Sequence, residues 1–264
     1  MADRDLIDAL AGATATDARC IVLEGAGDAF TVGADIEDLG KEGEPASLDE
    51  RYETIQTHEH RFAKDLIEHP LPTVAKVDGA AIGDGACFAL ACDIPLASER
   101  ARIGFSHARF ALSMDCAGSY VLPRLLGRGM AMELALTGRI VDGERAQELG
   151  LVNHVYPDDE FDARADEIVE ELATGAPIAQ RHIKELIRRG YDRDLEDALA
   201  AEAKSQVVAG DSEDYQRAAD ALRNDEEPTF EGRYSSAARR SSMARSRCVD
   251  GEPRKFRQAF ACFR

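Results

Sequence analysis

Glycine spacing, more than any reactive side chain, marks where this sequence can do chemistry. Gly79, Gly83 and Gly85 crowd the stretch Val77 to Ile94 (VDGAAIGDGACFALACDI), in which a strand runs into a turn and then into an apolar helix. A helix N-terminus leaves backbone N–H groups without intrahelical partners, beside the positive end of the helix dipole. Such a turn suits a developing negative charge on a substrate oxygen. Tight packing in an α/β protein would also account for these glycines. The spacing fits neither the G-x-G-x-x-G dinucleotide fingerprint nor the P-loop pattern, so a phosphate cradle is not supported. A second glycine loop lies upstream, Glu24 to Asp35 (EGAGDAFTVGAD), with Gly25, Gly27 and Gly33.

The elements that must position these loops follow from periodicity. Leu6, Ile7 and Leu10 share a helical face, and Cys20 to Leu23 is a continuous apolar run, a buried strand. Ile55, Phe62 and Leu66 mark a helix ended by Pro70 and Pro72, after which Thr73 to Val77 is the next strand. Ile94 to Ala97 and Ala101 to Phe105 read as short strands. Ala117 to Gly127 starts a helix, and Met130 to Thr137 forms another, stopped by Gly138. Val141 to Gly150 is a short helix and Leu151 to Val155 a strand. Helical patterns then occupy Phe161 to Ala173, Pro177 to Gly190, about Asp194 to Val208, and Asp211 to Arg223. The fold class is α/β, repeated strand and helix units with a helical C-terminal part.

Composition narrows the function. The 264 residues suffice for one full core. No apolar run approaches a membrane span, and Met1 to Leu10 is unlike a signal segment, so the expectation is a soluble, cytoplasmic protein with no membrane partner. The net charge is −18, and residues 233–264 carry nine Lys or Arg against two acids, which leaves −25 over residues 1–232. With six lysines against 26 arginines, this is the acidic surface expected of a halophile, and it disfavours nucleic acid as a partner. The six cysteines form no CxxC pair and read as reduced thiols. Ser235 to Arg264, rich in Ser, Arg and Ala and opposite in charge to the body, reads as disordered and as a non-native end. The domain plan is a core over 1–190, a helical region over 191–232 and the basic tail over 233–264.

Four separately spaced stretches together resemble the enoyl-CoA hydratase/isomerase (crotonase) superfamily: GDAFTVGADI (Gly27 to Ile36), Val77 to Ile94, FSHARF (Phe105 to Phe110) and LTGRIVDGERAQELGLVNHV (Leu136 to Val155). The resemblance covers about Asp5 to Gly232. It implies a crotonase-like spiral of ββα units with a helical C-terminal trimerisation region, assembled as a homotrimer or hexamer. The implied substrate is an acyl-CoA thioester that reacts through an enolate, in fatty acid metabolism, with no cofactor because CoA is part of the substrate. The oxyanion hole would use the backbone amides of Ala34 and Asp84, and the substrate would run along Ala34, Asp35, Ile36 and Glu37. Two fixed donors act as charge appears on the thioester oxygen. Aspartate at position 84 departs from the family's glycine; the amide survives, but a carboxylate stands nearby.

The resemblance places the proton chemistry less directly. Family hydratases hold a water between two glutamates, and those positions fall here on Cys87 and Arg109, neither a carboxylate. The run Asp115 to Gly127 (DCAGSYVLPRLLG) is similar to a segment of the phenylacetate-pathway ring isomerases in which this aspartate is the acid/base. A single carboxylate that removes a proton at one carbon and returns it at another performs isomerisation. Asp115 is therefore the expected shuttle, with a loop cap as its alternative role. Cys87 reads as packing and His107 as a structural histidine that could also line the pocket. His58 and His60, two apart on a helix, do not form a metal pair. Arg124 is expected in an ion pair, and Arg181 and Lys184 on a solvated helix face. The resemblance also implies a strand hairpin upstream of Leu6. Isomerisation of a double bond or ring is the leading expectation, hydration the second, and a non-catalytic scaffold the third.

Overall fold

The computed structural model describes residues 4–33 and 47–235. In chain order come α1 (Arg4–Gly12), β1 (Ile21–Glu24), β2 (Ala29–Thr31), α2 (Leu48–Thr57), α3 (Glu59–Glu68), β3 (Thr73–Val77), β4 (Ala80–Ile82) and α4 (Asp84–Ala91). There follow β5 (Ile94–Ser98), β6 (Arg102–Gly104), α5 (Gly118–Thr137), β7 (Ile140–Asp142), α6 (Gly143–Leu149) and β8 (His154–Tyr156). Four helices close the described chain: α7 (Phe161–Thr174), α8 (Pro177–Gly190), α9 (Leu195–Gly210) and α10 (Glu213–Asn224).

The strands form two four-stranded sheets, β1-β3-β5-β8 and β2-β4-β6-β7. All pairs are parallel except β6 with β7. Each circuit of the chain thus lays one strand on each sheet and leaves through a helix, which is the ββα spiral the resemblance implies. The three-residue strands β2, β4 and β7 have no counterpart in the periodicity. They are too short to show alternation and sit among glycines, so sheet pairing with a neighbour, not propensity, makes them strands. Between Ala117 and Thr137 one helical run is continuous but for Gly127, whose φ of 71° and ψ of 163° break it where two helices are expected.

Burial explains the middle of the spiral. β3 is buried at all five residues, between β1 and β5. Its Lys76 places its amine 2.8 Å from Asp162 and 3.1 Å from Asp166, so the stem is buried while the charge is paired. α4 is apolar from Ala86 to Ala91 and buried throughout that length. Phe62 of α3 meets Phe88 of α4 edge to face, with centroids 5.0 Å apart, which fixes α3 against the central helix.

The C-terminal helices are tied to the spiral by polar anchors. Lys184 of α8 is buried, bridging Asp93 at 2.7 Å and donating to the Leu71 carbonyl at 3.0 Å, so it is a structural cation and not part of a solvated face. Asp214 of α10 accepts from the backbone of Glu231 and Gly232, both at 2.8 Å. Tyr234 bridges Ser212, and Ser235 donates to the Asp211 carboxylate at 3.1 Å. The first residues assigned to the disordered tail are therefore paired; residues 236–264 lie outside the described chain. Among the described residues no helix is long and apolar enough to cross a membrane.

Candidate active site

The two glycine loops meet at the start of α4. Gly83 caps the helix with φ 62°, a conformation that disfavours any side chain. Gly85, the second residue of α4, lies so close to β2 that an added Cβ would stand 2.3 Å from the Thr31 carbonyl oxygen. Two residues beyond Thr31, the Cβ position of Gly33 is 3.6 Å from the Asp84 amide nitrogen. That amide is at the first residue of the helix, where N–H groups have no intrahelical acceptor. The sequence-derived positions Ala34, Asp35, Ile36 and Glu37 lie outside the described residues. Gly33 brings their loop to the Asp84 amide.

Asp84 also brings its carboxylate, and the structure shows how that charge is held. His107, buried in the short 3-10 turn Ser106–Phe110, places Nε2 3.0 Å from Asp84 Oδ1. A carboxylate can only accept, so the ring nitrogen donates. The Cys116 thiol nearby also favours the ionised form of this carboxylate. The His107 hydrogen bond, foremost, holds the Asp84 carboxyl below the usual carboxylate range against the opposing effect of burial.

Asp115 lies in the turn before α5. Its Oδ1 accepts from its neighbour's amide, Cys116 N–H, at 2.7 Å, which is the loop-capping role. The same oxygen contacts His60 Nε2 of α3. This histidine is the residue that sequence reasoning missed, having weighed it only as half of a metal pair. His58 instead turns to Thr54 and Thr57 of α2. Cys116 adopts φ 51° and Ala117 φ 60°, left-handed values unusual for side-chain-bearing residues. In that turn the Cys116 amide reaches Asp115.

Beside Asp115 opens a cavity of about 690 Å³, lined by His60, Ile67, Met114 and Tyr120 and bordered by Lys64 and Arg188. It is large enough for a small-molecule group. Arg124 stacks 3.5 Å from the Tyr120 ring centroid and reaches Asp192 at 3.4 Å, the expected ion pair.

The two hydratase positions hold no carboxylate chemistry. Cys87 is 1 % exposed, and burial, with Asp84 and Asp115 adding to it, pushes its thiol well above the ordinary range. It is packing, as expected, and no thiolate nucleophile. Arg109 is exposed and reaches the Thr137 carbonyl at 3.5 Å. Among the described residues no group of three His, Cys, Asp or Glu side chains could hold a metal ion.

Comparison with known proteins bears on the family and the fold. Residues 2–233 match the family model described as enoyl-CoA hydratase/isomerase. The chain is 31 % identical over 215 residues to a 1,2-epoxyphenylacetyl-CoA isomerase from Escherichia coli, covering 81 % of this chain and 82 % of that one. It is 30 % identical over 189 residues to a 4-chlorobenzoyl coenzyme A dehalogenase from an Arthrobacter species, covering 72 % and 68 %. Among solved structures, an enoyl-CoA hydratase from Polaromonas superposes with a TM-score of 0.80 at 30 % identity, covering 85 % of this chain and 87 % of the other.

Proposed function

Because the chain belongs to the enoyl-CoA hydratase/isomerase family, we propose that it isomerises a double bond or a ring in an acyl-CoA thioester through an enolate. The observation that carries this is Asp115, a carboxylate on the wall of the cavity, held by His60. The thioester oxygen would lie on the Asp84 amide and on that of Ala34, with CoA along Ala34, Asp35, Ile36 and Glu37. Asp115 takes a proton from one carbon of the acyl group and returns it at another. His60 keeps Asp115 in place and offsets its charge while it is ionised. CoA is part of the substrate, and the scheme calls for no further cofactor.

Hydration is the weaker reading because the two positions that would hold a water between carboxylates are Cys87 and Arg109. The contact between His60 and Asp115 favours a different second reading. Asp115 would attack a chlorine-bearing ring carbon of an aryl thioester, and chloride would leave with the bonding electrons. Water, giving a proton to His60, would then hydrolyse the aryl ester and release the carboxylate.

The acidic surface suggests assay in concentrated salt. The test is a panel of trans-2-enoyl-, 3-enoyl-, ring-epoxide and 4-chlorobenzoyl thioesters, with Asp115→Asn beside the wild type. Isomerisation and its loss by about 10²- to 10⁴-fold in the variant are expected. Full activity in the variant would remove Asp115 from the chemistry, and chloride release would favour the second reading. A chain that neither exchanges α-protons with solvent deuterium nor binds any thioester would be a scaffold.

A further inference from the structure

Asp84 and His107 are both departures from the pattern this chain resembles. Asp84 stands where the resembled turn has glycine, and His107 lies in the FSHARF stretch, where the resembled segment has glutamine. The two are 23 residues apart in the chain and come from different elements, yet their side chains meet at 3.0 Å. His107 is 8 % exposed, and among the described residues its Nδ1 is buried without a hydrogen-bond partner. The ring's one side-chain hydrogen bond there goes to Asp84. The hydrogen bond ties the 3-10 turn to the first residue of α4, the residue whose amide opens the turn.

We propose that His107 is a positioning residue of the oxyanion turn, and that Asp84 and His107 form one unit in which each replacement is tolerable only because of the other. This rests on the role proposed above for the Asp84 amide. The carboxylate is one side chain away from the backbone N–H that would face the enolate oxygen. A free negative charge about 5 Å from that oxygen, at the effective dielectric of a protein, would slow enolate formation on the order of a hundredfold. Donation from His107 engages the carboxylate and draws its charge toward the ring. The Cys116 thiol, from the turn that carries Asp115, also favours the ionised form. Among the described residues the remaining titratable groups at this point are Cys87, one turn along α4, and Asp115, which also bears on Cys116. Neither can neutralise Asp84, since the Cys87 thiol is held protonated by burial and Asp115 carries the same sign of charge.

The decisive experiment is a double-mutant cycle with His107→Gln and Asp84→Asn, read as kcat and KM for α-proton exchange of a thioester that the wild type accepts. His107→Gln is expected to lower kcat about 10- to 100-fold with KM changed by less than about threefold. Asp84→Asn keeps the backbone amide and removes the charge, so the loss that His107→Gln causes should be smaller on this background than in the wild type. The double variant should recover most of what His107→Gln loses. Recovery of activity by neutralising a residue on another element is not expected if His107 only packs. In parallel, carboxyl-carbon NMR should show the Asp84 titration midpoint rising in His107→Gln, a readout independent of turnover. Unchanged kcat in His107→Gln, or an equal loss from His107→Gln on the wild-type and Asp84→Asn backgrounds, would overturn the proposal. Exchange that Asp115→Asn abolishes while His107→Gln leaves it intact would overturn this inference alone. Absence of exchange in the wild type would remove the enolate reading and this inference with it.

Discussion

Replacing Gly85 by alanine tests how the two glycine loops are held together. Inside a helix, alanine is favoured over glycine by about 0.8–1 kcal/mol, so propensity alone makes the substitution stabilising. Contact with β2 opposes that gain. The new Cβ would meet Thr31 at its carbonyl oxygen (2.3 Å), its Cγ2 (2.5 Å) and its carbonyl carbon (3.0 Å), where ordinary contact begins at 3.4 Å. Two of these atoms are backbone, so β2 must retreat from α4 by about 1.1 Å. Overpacking of this kind costs about 1–3 kcal/mol, which at least cancels the propensity gain and leaves a net loss of about 0–2 kcal/mol. Activity should suffer more than stability. Thr31 leads directly into Gly33, which lies against the Asp84 amide, and about 1 Å of misplacement at a reacting centre costs on the order of 10²-fold. Thermal unfolding by circular dichroism and turnover of an accepted thioester in high salt measure the two effects. A Gly85→Ala variant that melts at or above the wild-type temperature with kcat within about twofold would refute the docking of the first loop on α4.

Two further outcomes follow from the same structure. Because His107 holds the folded-state pKa of Asp84 below its unfolded value, this carboxylate contributes stability that is complete above the ordinary carboxylate pKa and lost as pH falls through the folded value. The melting advantage of wild type over Asp84→Asn should therefore be steady near neutral pH and shrink below about pH 4; an advantage unchanged down to about pH 2 would contradict the pairing. The expected trimer or hexamer remains a proposal, for which the exposed apolar residues Ile187, Tyr191, Leu195, Val207 and Leu222 on the C-terminal helices and their connections offer a surface to cover. Sedimentation velocity should show it, with Leu222→Glu shifting the balance toward monomer, and a wild-type monomer at micromolar concentration would refute it.

What the sequence disclosed depends on the range of the interaction that made each element. β3 and β5 are legible because both faces are covered, whereas β1, expected to be buried, has Val22 and Glu24 exposed and only its other face turned inward. β2, β4 and β7 exist through pairing with strands distant in sequence, and no local pattern betrays them. The glycine turn was legible because its conformational demand is local: Gly83 must reach positive φ and Gly85 must admit β2. Asp115 was reached only through resemblance, since a lone aspartate in a loop has no spacing to distinguish it.

His60 and His107 were unreadable for the same reason, and they define the character of the site. Each is a solitary histidine whose acceptor lies 55 or 23 residues away, brought to it by the spiral. The turn beside them is strained at two consecutive residues: Cys116 holds φ 51° and Ala117 φ 60°, each costing a side-chain-bearing residue roughly 1 kcal/mol, and the turn presents the Cys116 amide to Asp115. In the proposed scheme the two histidine–aspartate pairs divide the work, Asp115 being left at the cavity to move protons and Asp84 being tied down so that its backbone amide can serve.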